Sequence, residues 1–360
     1  MLLVPYKHQL RNRVINSRFE NIMSELVPFQ VIYPDPSQGS HSPMLTPSDI
    51  DDFERIPNQG ASCYTKSHTN INDTKAQPHE WIGCRVVRPK NSKEFVVKYG
   101  YDVHPSEDFS TLYVAQSTTI PVPKIYAIYQ RELGSKVVTY IVMQYVPGKS
   151  LLQLWPSMDE AGKMAVSKTL RTYFDELRQL KQQAKPAFFG TISGGPPLDR
   201  YFNDEEFYPG STLTTSLAKE EELVAHYLQI LNTFPNTRPP SDTEENTVLI
   251  DMRRRQRGTL RYWKQVLPTV MHGDGHPIFT HSDFQRKNVM LQPDGTVVLI
   301  DWEFASWMPL YWEYAKATCV VPFDDDWYDY LAIILDQYVN ESMWLKIVRD
   351  AIKFHEGVPL

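Results

Sequence analysis

Along the chain, apolar residues recur first at strand spacing and then at helix spacing, and the change falls near Gly148. Residues 84–88 and 94–98 are short β-rich runs, and Pro89-Lys90-Asn91-Ser92 between them supplies turn chemistry, which predicts a hairpin. Residues 122–129 and 136–146 predict two more strands, with Gly134 in the turn. Residues 107–117 lack strand alternation and read as a short helix. Beyond Gly148 the period becomes helical. Ser157 and Glu160 stand three apart as a capping box, and Ala161, Ala165, Leu170, Tyr173, Phe174, Leu177 and Leu180 follow. Helical patterns recur over 217–231, 248–267, 310–318, 327–338 and 343–354. One β pair interrupts them: 278–280 and 296–300, expected to pair across Pro293-Asp294-Gly295. The class is therefore α+β, a small β-rich part followed by a larger helical one.

The first 80 residues have another texture. Val14, Ile15, Phe19, Ile22 and Leu26 are helically spaced, and Lys7, Arg11, Arg13 and Arg18 precede the first acid, Glu20. Two readings stand open: a mitochondrial targeting segment, or a surface helix with a solvated basic face in a cytoplasmic protein. Residues 34–80 are rich in Pro, Ser, Asn and Asp without apolar period and read as irregular extension. The expected division is 1–80 extension, 81–147 β-rich lobe, and 148–360 helical lobe.

Composition narrows the function. The chain has 360 residues and a net charge of −6, which makes a general nucleic-acid binder a poor reading. The apolar runs are too short to span a membrane. Three widely spaced cysteines, Cys63, Cys84 and Cys319, argue against a disulfide framework and fit a reducing compartment. Prolines number 27, above the usual ~5%, and cluster before Trp81, at turns, and in the connections of the helical part.

The informative stretch is 278–303, IFTHSDFQRKNVMLQPDGTVVLIDWE. It holds His281-Ser282-Asp283, Asn288 five residues later, and Asp301-Trp302-Glu303. Phosphoryl transfer needs charge neutralisation and an aligned hydroxyl more than covalent help. The carboxylate of Asp301 and the amide oxygen of Asn288 suit Mg²⁺, a hard cation. Asp283 suits the acceptor hydroxyl, as the group that orients it and takes its proton. His281 is better placed to fix loop backbone than to react.

On these residues the chain resembles the aminoglycoside phosphotransferase and choline kinase family, of protein-kinase-like fold, over about residues 81–355. The motif H-x-D-x(4)-N followed by an Asp-led tripeptide is matched, with Ser282 where the family usually has Gly. The resemblance implies a bilobal α+β fold with a β-rich N-lobe and helical C-lobe. It implies ATP and Mg²⁺, a small-molecule acceptor, and no nucleic-acid or membrane partner. Lys98, in Val96-Val97-Lys98, would contact nucleotide phosphates, with Glu107 as its ion-pair partner. The hinge 141–148 would offer backbone around Gln144 and Val146 to adenine. Residues 309–314 look like the helix after the metal Asp in fungal members.

Some features pull elsewhere. No D-F-G or A-P-E segment occurs, which argues against a protein kinase. No Gly-rich loop precedes Lys98, which motivates an alternative: a pseudokinase or binding scaffold of the same fold. His272-Gly273-Asp274 spells the family's H-G-D, but Phe279 stands where Asn is needed, so 281–288 is preferred. His272, Asp274 and His276 also admit a metal-ligand reading, against which a Gly/Pro-rich connection is the simpler account. Trp302, Trp307, Trp312 and Trp327, with Glu303 and Glu313, could form an aromatic, acidic pocket for a cationic amine. Packing mass is the simpler account of the tryptophans.

Overall fold

The computed structural model describes residues 29–34, 54–55, 84–90, 94–101, 103–104, 106–133, 136–199, 202, 212–233, 247–322 and 324–356. The basic amphipathic segment at the start and most of the Pro-rich stretch lie outside the described residues. Two compact units are formed. The first holds the described residues up to Asp159 together with Gln285–Glu303; the second holds Glu160–Phe284 and the described residues from Phe304 onward.

The first unit is built on a six-stranded antiparallel sheet of β1 (Phe29–Pro34), β2 (Glu54–Arg55), β3 (Cys84–Arg88), β4 (Phe95–Gly100), β5 (Ile125–Leu133) and β6 (Lys136–Gln144). Their order is β1-β5-β6-β4-β3-β2. The expected 84–98 hairpin forms, with Val86 opposite Lys98. The strand expected from 122 starts only at Ile125; Pro121 and Pro123 have no N–H for a ladder. Both edges differ from expectation: β1 pairs with β5 and β2 with β3, so residues before Trp81 complete the sheet.

Alternation along β4 sorts its side chains. Val97 and Tyr99 join a cluster with Val87, Ala127, Tyr129 and Val142, and Tyr99 stacks on Tyr140 at 5.4 Å. Val96 and Lys98 therefore share the other face. Helix α1 (Ser106–Ser117) buries Ser106, Glu107, Asp108, Ser110, Thr111 and Val114. A mainly polar buried face explains why no apolar stripe announces it.

The 278–303 stretch does not form the single hairpin expected of it. In the first unit, β7 (Lys149–Ser150), followed by the one-turn helix α2 (Leu151–Leu154), makes a three-stranded sheet with β9 (Val289–Leu291) and β10 (Val297–Leu299), β9 pairing to both neighbours. The Asp294-Gly295 turn joins β9 to β10 and not the strands expected. Gly148 enters β7 at φ +115, and a Cβ there would lie 2.1 Å from the Leu291 carbonyl oxygen. Only glycine permits that approach.

The second unit is helical: α3 (Glu160–Gln179), α4 (Glu221–Thr233), α5 (Thr247–Val270), α6 (Trp312–Thr318), α7 (Trp327–Ile334) and α8 (Val339–Glu356). Its two strands, β8 (Ile278–Thr280) and β11 (Ser306–Met308), pair with each other. Tyr227, Ile230, Leu267, Tyr311, Trp312, Leu345 and Val348 share its core. The expected capping box would need Ser157 at the N-cap, but Ser157 ends a 3-10 turn, Trp155–Ser157, its hydroxyl donates to the Leu154 carbonyl, and α3 starts only at Glu160.

Candidate active site

Two groups of side chains carry the chemistry, one in each unit. In the first unit, Lys98 is only 2% exposed. Its Nζ lies 2.7 Å from Glu107 Oε2, 2.7 Å from Asp301 Oδ1 and 3.2 Å from Glu303 Oε2. Strand alternation turns Lys98 inward, and Glu107 sits in the first turn of α1, where a carboxylate suits the helix dipole. Asp301 follows β10 with φ +65, a left-handed conformation uncommon outside glycine. Its Oδ2 is buried and has no hydrogen-bond partner among the described residues. Among the described residues, Glu107, Asp301 and Glu303 bring carboxylate oxygens within 4.8 Å of one another, close enough to share a cation.

The β9–β10 hairpin brings the expected metal residues together. Val289 pairs with Leu299, so Asn288 and Ile300 come next on adjoining strands. The Ile300 N–H donates to the Asn288 carbonyl at 3.0 Å. Asn288, fully buried, ends a short 3-10 turn, Arg286–Asn288.

A cleft opens beside this cluster. Val86, Val96, Met143, Val146 and Ile300 give it apolar walls, and Lys98, Glu107 and Asp301 line its charged part. Apolar walls with a few polar groups are the usual make-up of a small-molecule site. At the expected hinge, the Gln144 N–H already donates to Lys124 O at 2.8 Å, and the Tyr145 N–H to Glu94 O at 3.2 Å. The Gln144 side chain also accepts the Lys124 N–H. Gln144 is thus tied into the sheet through its N–H and its side chain, and both Gln144 and Val146 line the cleft.

The electrostatics follow from burial. Glu107 is pushed up to about 7, because desolvation and the nearby Asp301 outweigh the pull of Lys98. Asp108 is raised well above the usual carboxylate range, by desolvation and by Glu107. Neither Asp108 oxygen has a hydrogen-bond partner among the described residues. Nothing in the sequence distinguishes this buried acid from an ordinary helix-start Asp.

In the second unit, His281, Ser282 and Asp283 follow β8. His281 is fully buried, and its Nδ1 accepts the Asp283 N–H at 3.3 Å, so the ring does hold loop backbone. Asp283 is partly exposed.

The expected substrate carboxylates are engaged elsewhere. Glu303 pairs with Lys98 in the first unit. Glu313 is 2% exposed, and its carboxylate accepts the His281 N–H at 2.6 Å and the Ser282 N–H at 3.2 Å. Trp302, Trp307, Trp312 and Trp327 are all buried packing. Packing, the simpler account of the four tryptophans, is what the structure shows for them. The chain turns at Asp301, φ +65, so strand alternation gave no signal for the Glu303 contact. At the alternative motif, His272, Asp274 and His276 are exposed, and Gly273 and Gly275 donate N–H groups to Glu220. That is a braced turn.

The profile of the phosphotransferase enzyme family matches residues 106–341, about two thirds of the chain. The chain belongs to that family. Its sheet-based and helical units are of the α+β class expected. Lys98 lies just before the matched segment. No curated protein sequence matches. Among solved structures, aminoglycoside phosphotransferase APH(4)-Ia, in a ternary complex with ADP and hygromycin B, is 12% identical. It covers 77% of this chain and 91% of its own, with a TM-score of 0.42. A GDP complex of aminoglycoside 2'-phosphotransferase-IIIa is 11% identical, covering 77% and 83%, with a TM-score of 0.48. Choline kinase LicA from Streptococcus pneumoniae is 11% identical, covering 76% and 80%, with a TM-score of 0.39.

Proposed function

We propose that this protein transfers the γ-phosphoryl group of ATP, with Mg²⁺, to a hydroxyl of a small molecule. The observation that carries the reading is the buried Lys98, held by Glu107 and by Asp301 beside an apolar cleft. In this reading Lys98 contacts nucleotide phosphates and Glu107 keeps it in place. Adenine occupies the cleft beside Val146. The buried, partnerless Oδ2 of Asp301 fits a metal ligand, and the amide oxygen of Asn288 is of the right hard-donor type. A bound Mg²⁺ would neutralise phosphate charge. In the second unit, Asp283 orients the acceptor hydroxyl and takes its proton.

The acceptor is a small molecule without a stated amine. Glu303 and Glu313 were the ground for an amine, and both are engaged elsewhere.

The test is consumption of ATP by the full chain against a panel of amines and alcohols. Asp283→Ala should lose turnover and keep nucleotide binding; unchanged phosphoryl transfer would sink the assignment. One observation favours a second reading, a nucleotide-poor scaffold. Lys98 is within 2.7 Å of Asp301, and phosphate must compete with that contact. Thermal shift with Mg·ATP separates the two, since a ligand bound only by the folded state must stabilise it. No shift favours the scaffold.

A further inference from the structure

The Lys98 ammonium has three N–H donors, and three carboxylates of the first unit surround it. Glu107 Oε2 and Asp301 Oδ1 lie at 2.7 Å, and Glu303 Oε2 at 3.2 Å. There are as many acceptors as donors. A phosphate oxygen that reaches Lys98 must therefore displace one of the three.

The holders are not equal. The Glu107 and Asp301 side chains are 5% and 1% exposed, whereas that of Glu303 is 17% exposed. Glu303 also makes the longest contact. A carboxylate that stays buried after losing its cation is left uncompensated, which is costly. A carboxylate at the edge of the cluster is taken up by water instead, and an ion pair open to water is worth little. The tie that costs least to exchange is the one to Glu303.

We propose that Glu303 is an exchangeable holder of Lys98: it takes the third N–H in the free protein and yields it to a phosphate of the nucleotide. A buried ammonium with an unmade hydrogen bond is costly, and Glu303 satisfies that N–H while Lys98 lines the empty cleft. The exchange trades one charge-assisted hydrogen bond for another, with Glu107 and Asp301 holding throughout. The same carboxylate opposes the phosphate twice, as a rival for the N–H and as a like charge. Glu303 is thus a positioning residue for Lys98 that weakens nucleotide binding when no metal screens the two anions.

The exchange presupposes the nucleotide reading above. Calorimetry measures ATP and adenosine binding to the full chain and to Glu303→Gln, in EDTA and with Mg²⁺. Glutamine keeps the length and an acceptor oxygen and loses the charge. In EDTA the variant should bind ATP roughly 3- to 10-fold tighter than wild type, as for the loss of a partly screened like charge. Adenosine carries no phosphate and should bind both equally. Metal-free ATP binding that is unchanged or weaker in a folded variant overturns the proposal. So does equal tightening of adenosine, which means a loosened cleft. Loss of the Mg²⁺-dependent increment alone makes Glu303 a metal ligand and overturns it too. If Glu303→Gln does not fold, Glu303→Ala is read in the same way. Failure of both to fold also counts against the proposal, since an exchangeable contact is not one the fold requires. If wild type binds neither ATP nor adenosine in either condition, the nucleotide reading falls and the exchange with it. If wild type binds ATP and the variant matches it, only the exchange falls.

Discussion

Lys98→Met is the sharpest probe of the buried cluster. Lys98 faces Glu107, Asp301 and Glu303 with its side chain 3% exposed. Methionine keeps the length and removes the charge. Breaking a buried ion pair by deleting one partner costs about 3–5 kcal/mol, because the remaining charge is left uncompensated. Glu107 already titrates at about 7 with the lysine beside it. Without Lys98, Glu107 keeps its proton at pH values where wild-type Glu107 has lost it, above about 7. A carboxylate whose folded pKa is raised contributes stability at low pH that is lost as pH rises through that pKa. The deficit therefore grows above pH 7 by up to about 1.4 kcal/mol per unit and levels off below it, where wild type is protonated too. A variant about 3 kcal/mol less stable at pH 7.5 should recover roughly 1 kcal/mol by pH 5.5. Urea denaturation followed by tryptophan fluorescence at the two pH values measures this. No deficit at pH 7.5, or an equal deficit at both, would refute the buried, mutually repelling cluster.

Asp108→Asn should stabilise the protein increasingly as pH rises, because wild-type Asp108 has a folded pKa raised well above its unfolded one. A stability difference that is the same at pH 5 and pH 8 would contradict this. Gly148→Ala should lower stability by roughly 2–3 kcal/mol or more, given φ +115 and a backbone oxygen 2.1 Å from the new Cβ. Gly295→Ala, at φ +88 with open space around it, should cost only about 1–2 kcal/mol, and denaturant midpoints compare the two. Asp301→Asn should abolish the metal-dependent increment of nucleotide binding in calorimetry while leaving metal-free binding nearly unchanged; an intact increment would remove Asp301 from the metal role.

Much of this protein was legible in its sequence because local chemistry settles it. The 84–98 hairpin and the helices of the second unit follow from alternation, turn residues and helical period, while Lys98 was pointed to only by the resemblance. The H-x-D-x(4)-N spacing singled out Asp283, Asn288 and Asp301 without a structure. What local chemistry did not settle was partner choice. Residues 278–280 and 296–300 are both good strands, and propensity does not say with what. Tertiary packing gave β8 to β11 and β9 to β10. The sheet edges came from before Trp81, where short strands sit among prolines and show no period. The fates of Glu303 and Glu313 were decided by distance across the fold: one carboxylate reached Lys98, 205 residues away, and the other reached the amides of residues 281 and 282. A sequence fixes which side chains carry charge, but the desolvation and neighbours that push Glu107 and Glu313 up to about 7 exist only once the chain has folded around them.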